Sequence, residues 1–456
     1  MNKPTFVVSC PIDTYSGYGS RSRDFVKALI ELDKYDVKIL QQRWGATPWG
    51  FIKANPEWEF LTKHFLPNNQ LTQQPDIWCQ ITVPNEYQQV GKYNIGVTAG
   101  IESTIAPAEW VAGCERMDLV LGSTEHTINV LRNSKFEQKD KNTGQSMGVV
   151  QWTKDGEVLF EGANLDTYKP LTKSNFDLDH VKEEFAFLFV GHWLTGDVGE
   201  DRKNVGLLIK SFLELFKNKR KQPALILKTA IVANSYADRN ILIERIKAIM
   251  STVKAHTLPN IYLLHGDFTD KEMNELYNHR KVKAMVNLTK GEGFGRPLLE
   301  FSLTNKPIIT TNWSGHVDFL NKEYVTLLPG ELKNIHHSAA NNMLLREAQW
   351  FNVDHGHLGH YMKDIFKNYK GYKEKAKRQG YYARTNFSFD KMKEKLEKAL
   401  ERIPEFPKQV GLNLPKLKKV GDSSNELPKL KLPKLKKVGE EENKVELPKL
   451  ELPKLK

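Results

Sequence analysis

The residues best suited to chemistry fall in one run, Lys290-Gly291-Glu292-Gly293-Phe294-Gly295-Arg296-Pro297-Leu298-Leu299-Glu300. Three glycines let backbone approach a ligand closely, and free N–H groups where a helix begins favour an anion such as a diphosphate. Arg296 adds positive charge beside them. Glu292 precedes the turn and Glu300 lies a helical turn beyond Arg296, so two carboxylates flank the anion position from opposite ends. Carboxylates accept hydrogen bonds from hydroxyls. A ligand with a sugar ring on each side of a diphosphate, the layout of a nucleotide sugar, fits this pattern.

The surrounding elements must hold that run at a strand end. Apolar runs at 5–9, 37–40, 76–81, 93–98 and 118–121 read as strands, with a helix over 21–32 after the loop Ser16-Gly17-Tyr18-Gly19-Ser20. The same alternation restarts further on. Strands are expected at 185–190, 224–229, 261–264, 284–288 and 307–311, and helices at 205–216, 241–250 and 297–303. This predicts an α/β protein of two Rossmann-like, doubly wound domains facing across a cleft, with ligands at the carboxyl ends of the strands. The boundaries expected are 1–172 and 183–385 for the two domains, 386–402 for a terminal helix returning toward the first, and 403–456 for an extended tail. The linker 170–180 contains Asp177-Leu178-Asp179, readable as a metal site or as a solvated turn; the turn is expected, and no metal is.

Composition narrows the class. A chain of 456 residues exceeds one hydrophobic core, and 40% hydrophobic with 10% aromatic residues excludes disorder throughout. No apolar run approaches the length that spans a bilayer, and the first ten residues lack the pattern of a secretory signal, so a cytoplasmic location is expected. Cys10, Cys79 and Cys114 are odd in number and widely spaced, which fits packing thiols in a reducing compartment. The net charge of +12 does not describe a basic body: residues 1–360 balance to zero, and the excess lies in 361–402 and 403–456. In that tail Leu-Pro-Lys-Leu begins at Leu414, Leu427, Leu432, Leu447 and Leu452. Frequent proline forbids a helix there, leaving two readings: a charged, solvated extension, or repeated docking onto a protein or polyanion.

Glu292 and Glu300 with Gly293-Phe294-Gly295 between them resemble the Glu-x7-Glu signature of retaining GT-B glycosyltransferases. The segments His265-Gly266-Asp267, Val286-Asn287-Leu288 and Phe160-Glu161-Gly162-Ala163-Asn164 are similar to that family as well, and the likeness covers about residues 1–400. The resemblance implies transfer from a nucleotide-diphosphate sugar with retention and without metal. It implies that Glu292 contacts the donor sugar, that backbone of Phe294 and Gly295 meets sugar and phosphate, and that Glu300 holds the ribose hydroxyls. Arg202 and Lys203, in Asp201-Arg202-Lys203-Asn204, would neutralise the leaving diphosphate, and Gly17 and Gly19 would let the first-domain loop close over it. The chain departs from the family at Gly191-His192-Trp193, and it offers Glu102, in Ala99-Gly100-Ile101-Glu102, where some members place a histidine. The acceptor stays open among a glycan, a lipid-linked glycan, a protein and a modified DNA base; Trp44, Trp49 and Trp110 are candidates to stack on it. The rival readings are a nucleotide-sugar epimerase or sugar phosphorylase of the same superfold, and a catalytically idle nucleotide-binding or docking protein.

Overall fold

The computed structural model describes residues 3–140, 142–231 and 234–406; the tail repeats, from 407 onward, lie outside the described residues. Strands of the first half are β1 (Thr5–Cys10), β2 (Asp36–Gln41), β3 (Ile77–Ile81), β4 (Tyr93–Thr98), β5 (Leu119–Gly122), β6 (Phe136–Lys139), β7 (Ser146–Val150) and β8 (Asp155–Val158). Those of the second are β9 (Ala186–Val190), β10 (Ala224–Lys228), β11 (Ile261–Leu264), β12 (Val282–Asn287), β13 (Ile308–Thr311), β14 (Thr326–Leu328), β15 (Gly330–Asn334) and β16 (Gln349–Val353). The helices are α1 (Gly17–Leu32), α2 (Phe51–Ala54), α3 (Ala108–Arg116), α4 (Glu125–Asn133), α5 (Val205–Phe216), α6 (Tyr236–Ser251), α7 (Asp270–Asn278), α8 (Arg296–Ser302), α9 (His355–Asn386) and α10 (Phe389–Leu400).

They build two six-stranded sheets, ordered β2-β1-β3-β4-β5-β8 and β11-β10-β9-β12-β13-β14. Every pairing within them is parallel. The expected α/β, doubly wound architecture is therefore what the chain forms. β3 (Ile-Trp-Cys-Gln-Ile) and β9 (Ala-Phe-Leu-Phe-Val) are buried at every position, because helices cover both faces of a parallel sheet. Two antiparallel hairpins, β6–β7 and β15–β16, had no signal in the sequence. β6, β7 and β15 are largely exposed and carry no apolar alternation, whereas β16 buries Trp350, Phe351 and Val353 in a run too short to mark its exposed partner.

Helix α1 begins at Gly17, four residues before the expected start. Ser16 caps it by accepting the Gly19 N–H at 2.9 Å, and this outweighs the poor helix propensity of the two glycines. The linker is held against α7, with the Leu171 N–H donating to Asn278 and the Ser174 hydroxyl donating to the Glu275 carbonyl. Asp177 accepts the Asp179 N–H at 2.8 Å, the turn expected of Asp-x-Asp, and among the described residues no three His, Cys, Asp or Glu side chains gather as metal ligands do. Helix α10 lies along α1, tied by Lys393 to Glu31 (2.6 Å) and Lys34 to Glu397 (2.8 Å), with Met392 and Leu396 joining Phe25 in the core. All three cysteines are buried, and burial pushes the Cys10 and Cys114 thiols up to about 12, so they pack rather than react. No helix among the described residues is long and apolar enough to cross a membrane.

Candidate functional site

The loops at the carboxyl ends of β1, β9, β10 and β11 enclose a cavity of about 540 Å³. Its walls include Ser16, Gly17 and Arg23 from the first half and His192, Lys228 and Asp267 from the second. Gly17 is exposed and a Cβ there would touch nothing, so the first turn of α1 opens directly onto the cavity. Arg23 is anchored by the Ile12 and Thr14 carbonyls at 2.8 and 3.0 Å, and its guanidinium stacks 3.4 Å above the Phe51 ring. Lys228 donates to the Gly266 carbonyl at 2.7 Å and rests 4.5 Å over the Phe268 ring. His192 meets solvent in the cleft, yet partial desolvation there and then the charges of Lys203, Arg202 and Lys228 lower its imidazole below its ordinary value. The cavity wall thus carries two cations, Arg23 and Lys228, and two carboxylates, Asp267 and Asp270.

Behind it, the structure brings Glu102, Arg202, Lys203 and Glu292 into one ion cluster. Lys203 Nζ lies 2.5 Å from Glu292 Oε1, and Arg202 lies 3.1 Å from Glu102 and 3.7 Å from Glu292. Arg202 also donates to the Gly291 carbonyl at 2.8 Å. Burial alone would raise the Glu292 carboxyl; Lys203 and Arg202 overcome it and hold the group down at about 2. The Glu292 backbone is fixed by Ser314, whose hydroxyl accepts its N–H at 2.9 Å, and by the Gly315 N–H, which donates to its carbonyl at 3.0 Å.

Arg296 and Glu300 belong to a second, separate cluster. Arg296 donates to Asp24 at 2.7 Å and to Glu300 at 3.0 Å, and lies 3.6 Å from Glu161. Asp24, Glu161 and Glu300 therefore surround the guanidinium that the sequence offers to a phosphate, and through Asp24 and Glu161 Arg296 joins the two halves. Glu300 also accepts from the Tyr277 hydroxyl at 3.5 Å. Burial, reinforced by Asp270 and opposed by Arg296, pushes its carboxyl up to about 8. Glu292 and Glu300 are both buried, and neither is part of the cavity wall.

Gly291 and Gly293 are packed against protein backbone. A Cβ on Gly291 would lie 2.3 Å from the Glu102 carbonyl oxygen, and one on Gly293 would lie 2.5 Å from that of Ala99. The backbone that approaches this turn is that of the loop after β4, and Thr124 donates to the Gly293 carbonyl at 3.0 Å. Gly19 likewise faces protein: its Cβ would sit 2.3 Å from the Thr14 carbonyl oxygen, so of the two first-loop glycines only Gly17 faces the cavity. The Phe294 ring is core, 4.9 Å from Phe319, while Gly295 takes φ +95° as the residue before α8.

No family profile and no curated protein sequence matches this chain. Solved structures do. A glycosyltransferase from Rickettsia africae aligns over 88% of this chain and 99% of its own at 14% identity, with a TM-score of 0.57. Sucrose-phosphate synthase from Thermosynechococcus elongatus aligns over 88% and 99% at 13% identity, with a TM-score of 0.59. The fold is GT-B. HepE from Anabaena, solved with UDP and glucose, shares this GT-B fold over 88% of this chain and 100% of its own, at 12% identity and a TM-score of 0.53. Sequence reasoning passed over Arg23 on the cleft wall and Asp24 beside Arg296, and it took Lys228 only as the end of a strand and Glu161 only as part of a family-like segment. Lys228 carried a signal, being the last residue of an apolar strand; Asp24 and Glu161 become partners of Arg296 only when the halves meet.

Proposed function

We propose that this protein is a glycosyltransferase that moves a sugar from a nucleoside-diphosphate donor to an acceptor, without a metal ion and with retention at the anomeric carbon. The observation that carries the reading is the gathering of Lys203, Arg202, Lys228 and His192 around the cleft, beside the buried Glu292. A departing diphosphate gains negative charge in the transition state, and cations already fixed in place stabilise it with little reorganisation. The open first turn of α1 at Gly17 adds N–H groups and the positive end of a helix dipole. When Lys203 turns toward the diphosphate, a Glu292 oxygen is freed to accept a hydroxyl of the donor sugar. The Anabaena protein HepE was solved with UDP-glucose, which supports uridine donors as the first to test.

The test is a thermal-shift series with UDP, GDP, ADP and their sugars in the presence of a chelator. One nucleoside diphosphate should raise the melting temperature, since a ligand of the folded state alone stabilises it. Glu300→Ala should lose that shift, and Lys203→Ala should slow donor consumption about 10²–10³-fold. A flat response to every nucleotide overturns the reading, as does isomerisation of the sugar when donor is supplied alone.

A further inference from the structure

A second and larger cavity, about 970 Å³, adjoins the cleft; Trp44 and Thr47 line both. One wall comes from the first half, through Arg43, Asn85, Glu86, Glu109 and Trp110. The facing wall is the segment 341–345, from the loop joining β15 to β16 in the second half. That loop is placed by the hairpin base, where Gln349 and Thr104 exchange hydrogen bonds, the Thr104 N–H donating to the Gln349 carbonyl and the Gln349 N–H to the Thr104 hydroxyl, each at 2.9 Å. The Trp44 ring is stacked on Tyr18 at 4.0 Å with 25° between the planes. Its orientation is therefore set before anything binds.

The lining chemistry selects the occupant. Rigid aromatic faces take the apolar C–H faces of sugar rings, and amides and carboxylates exchange hydrogen bonds with hydroxyls. The charged residues lining the groove are one arginine, Arg43, and two glutamates, Glu86 and Glu109, so a phosphate-rich chain would meet a net negative wall. The positive excess of the sequence lies elsewhere, beyond residue 360. The volume is at the top of the ~300–1,000 Å³ range of ligand pockets, enough for more than one ring.

We infer that this groove is the acceptor site and that its occupant is the end of a neutral oligosaccharide, an assignment that rests on the transfer reading above. A hydroxyl of the glycan enters the cleft past Trp44. Its oxygen bonds to the anomeric carbon of the donor as the bond from that carbon to the diphosphate oxygen breaks, and its proton passes to the departing diphosphate.

The test uses the full chain with UDP present and titrates a panel of neutral oligosaccharides, including malto- and chito-tetraose, beside a heparin tetrasaccharide and a dT12 oligonucleotide at physiological salt. At least one neutral glycan should bind, and Trp44→Ala should weaken it tenfold or more. Glu109→Lys, at an exposed position that tolerates substitution, should weaken it as well. The inference is overturned if only the anionic probes bind, if neither variant alters glycan binding, or if a protein that binds UDP binds no neutral glycan. Loss of the nucleotide response with glycan binding intact would sink the donor reading, leaving the groove a glycan site and removing its role as acceptor site.

Discussion

Glu292 and Glu300 carry the same functional group within one motif, yet their surroundings drive them in opposite directions. Lys203 and Arg202 hold Glu292 at about 2, whereas burial takes Glu300 to about 8. Removing Glu292 leaves Lys203 buried without its carboxylate, while Arg202 keeps Glu102. Glu292→Ala should therefore lower unfolding stability by about 3–5 kcal/mol in a urea titration, the cost typical of breaking a buried pair. Glu300 acts through linkage. The folded chain keeps a proton on Glu300 that the unfolded chain, with an ordinary value of 4.5, releases, so its stabilisation is complete below about 4.5 and is lost as pH rises through 8. Glu292 does the reverse, contributing above about 4.5 and losing its contribution as pH falls toward 2. Glu300→Gln imitates the protonated acid. Its stability relative to the parent should rise steadily between pH 5 and 8, and a difference that stays constant over that range would refute the assignment.

At the scale of elements, the α1 entrance separates two glycines that look equivalent in the sequence. Gly17 has open space at its Cβ position, while Gly19 is pressed against the Thr14 carbonyl. Gly19→Ala should destabilise by about 1–3 kcal/mol, as overpacking against backbone does. Gly17→Ala should leave the melting temperature within the range of a surface change, about ±0.5 kcal/mol, while weakening nucleotide binding. Equal melting temperatures for the two variants would contradict the packing described. Helix α8 shows the same principle from its other side: Arg296 in its first turn reaches Asp24 of α1, so the element that follows the glycine turn also fastens the two halves.

For the whole molecule, residues Met1–Phe406 form one compact unit that contains every residue of the cleft and of the adjoining groove. Removing 407–456 should leave nucleotide affinity and donor hydrolysis at the parent level, measured by calorimetry and by release of the nucleoside diphosphate. A truncated protein that loses either would show that the repeats serve the site directly.

The sequence by itself determined the two parallel sheets, because apolar runs a few residues long between amphipathic helices have few other ways to be buried. It also marked the candidate loops, since ligands of doubly wound sheets bind at the carboxyl ends of strands. Glu292, Lys203 and Arg202 were legible for that reason, as residues of such loops. Only the tertiary structure decided which partner each charge takes. Arg296 was free to bind a phosphate until Asp24 and Glu161 arrived from distant parts of the chain, and Gly291 and Gly293 had no stated neighbour until the loop after β4 closed on them. Local spacing encodes which side chains share a turn; the neutralisation of a charge and the filling of a void depend on contacts between segments far apart in sequence, which no local pattern records.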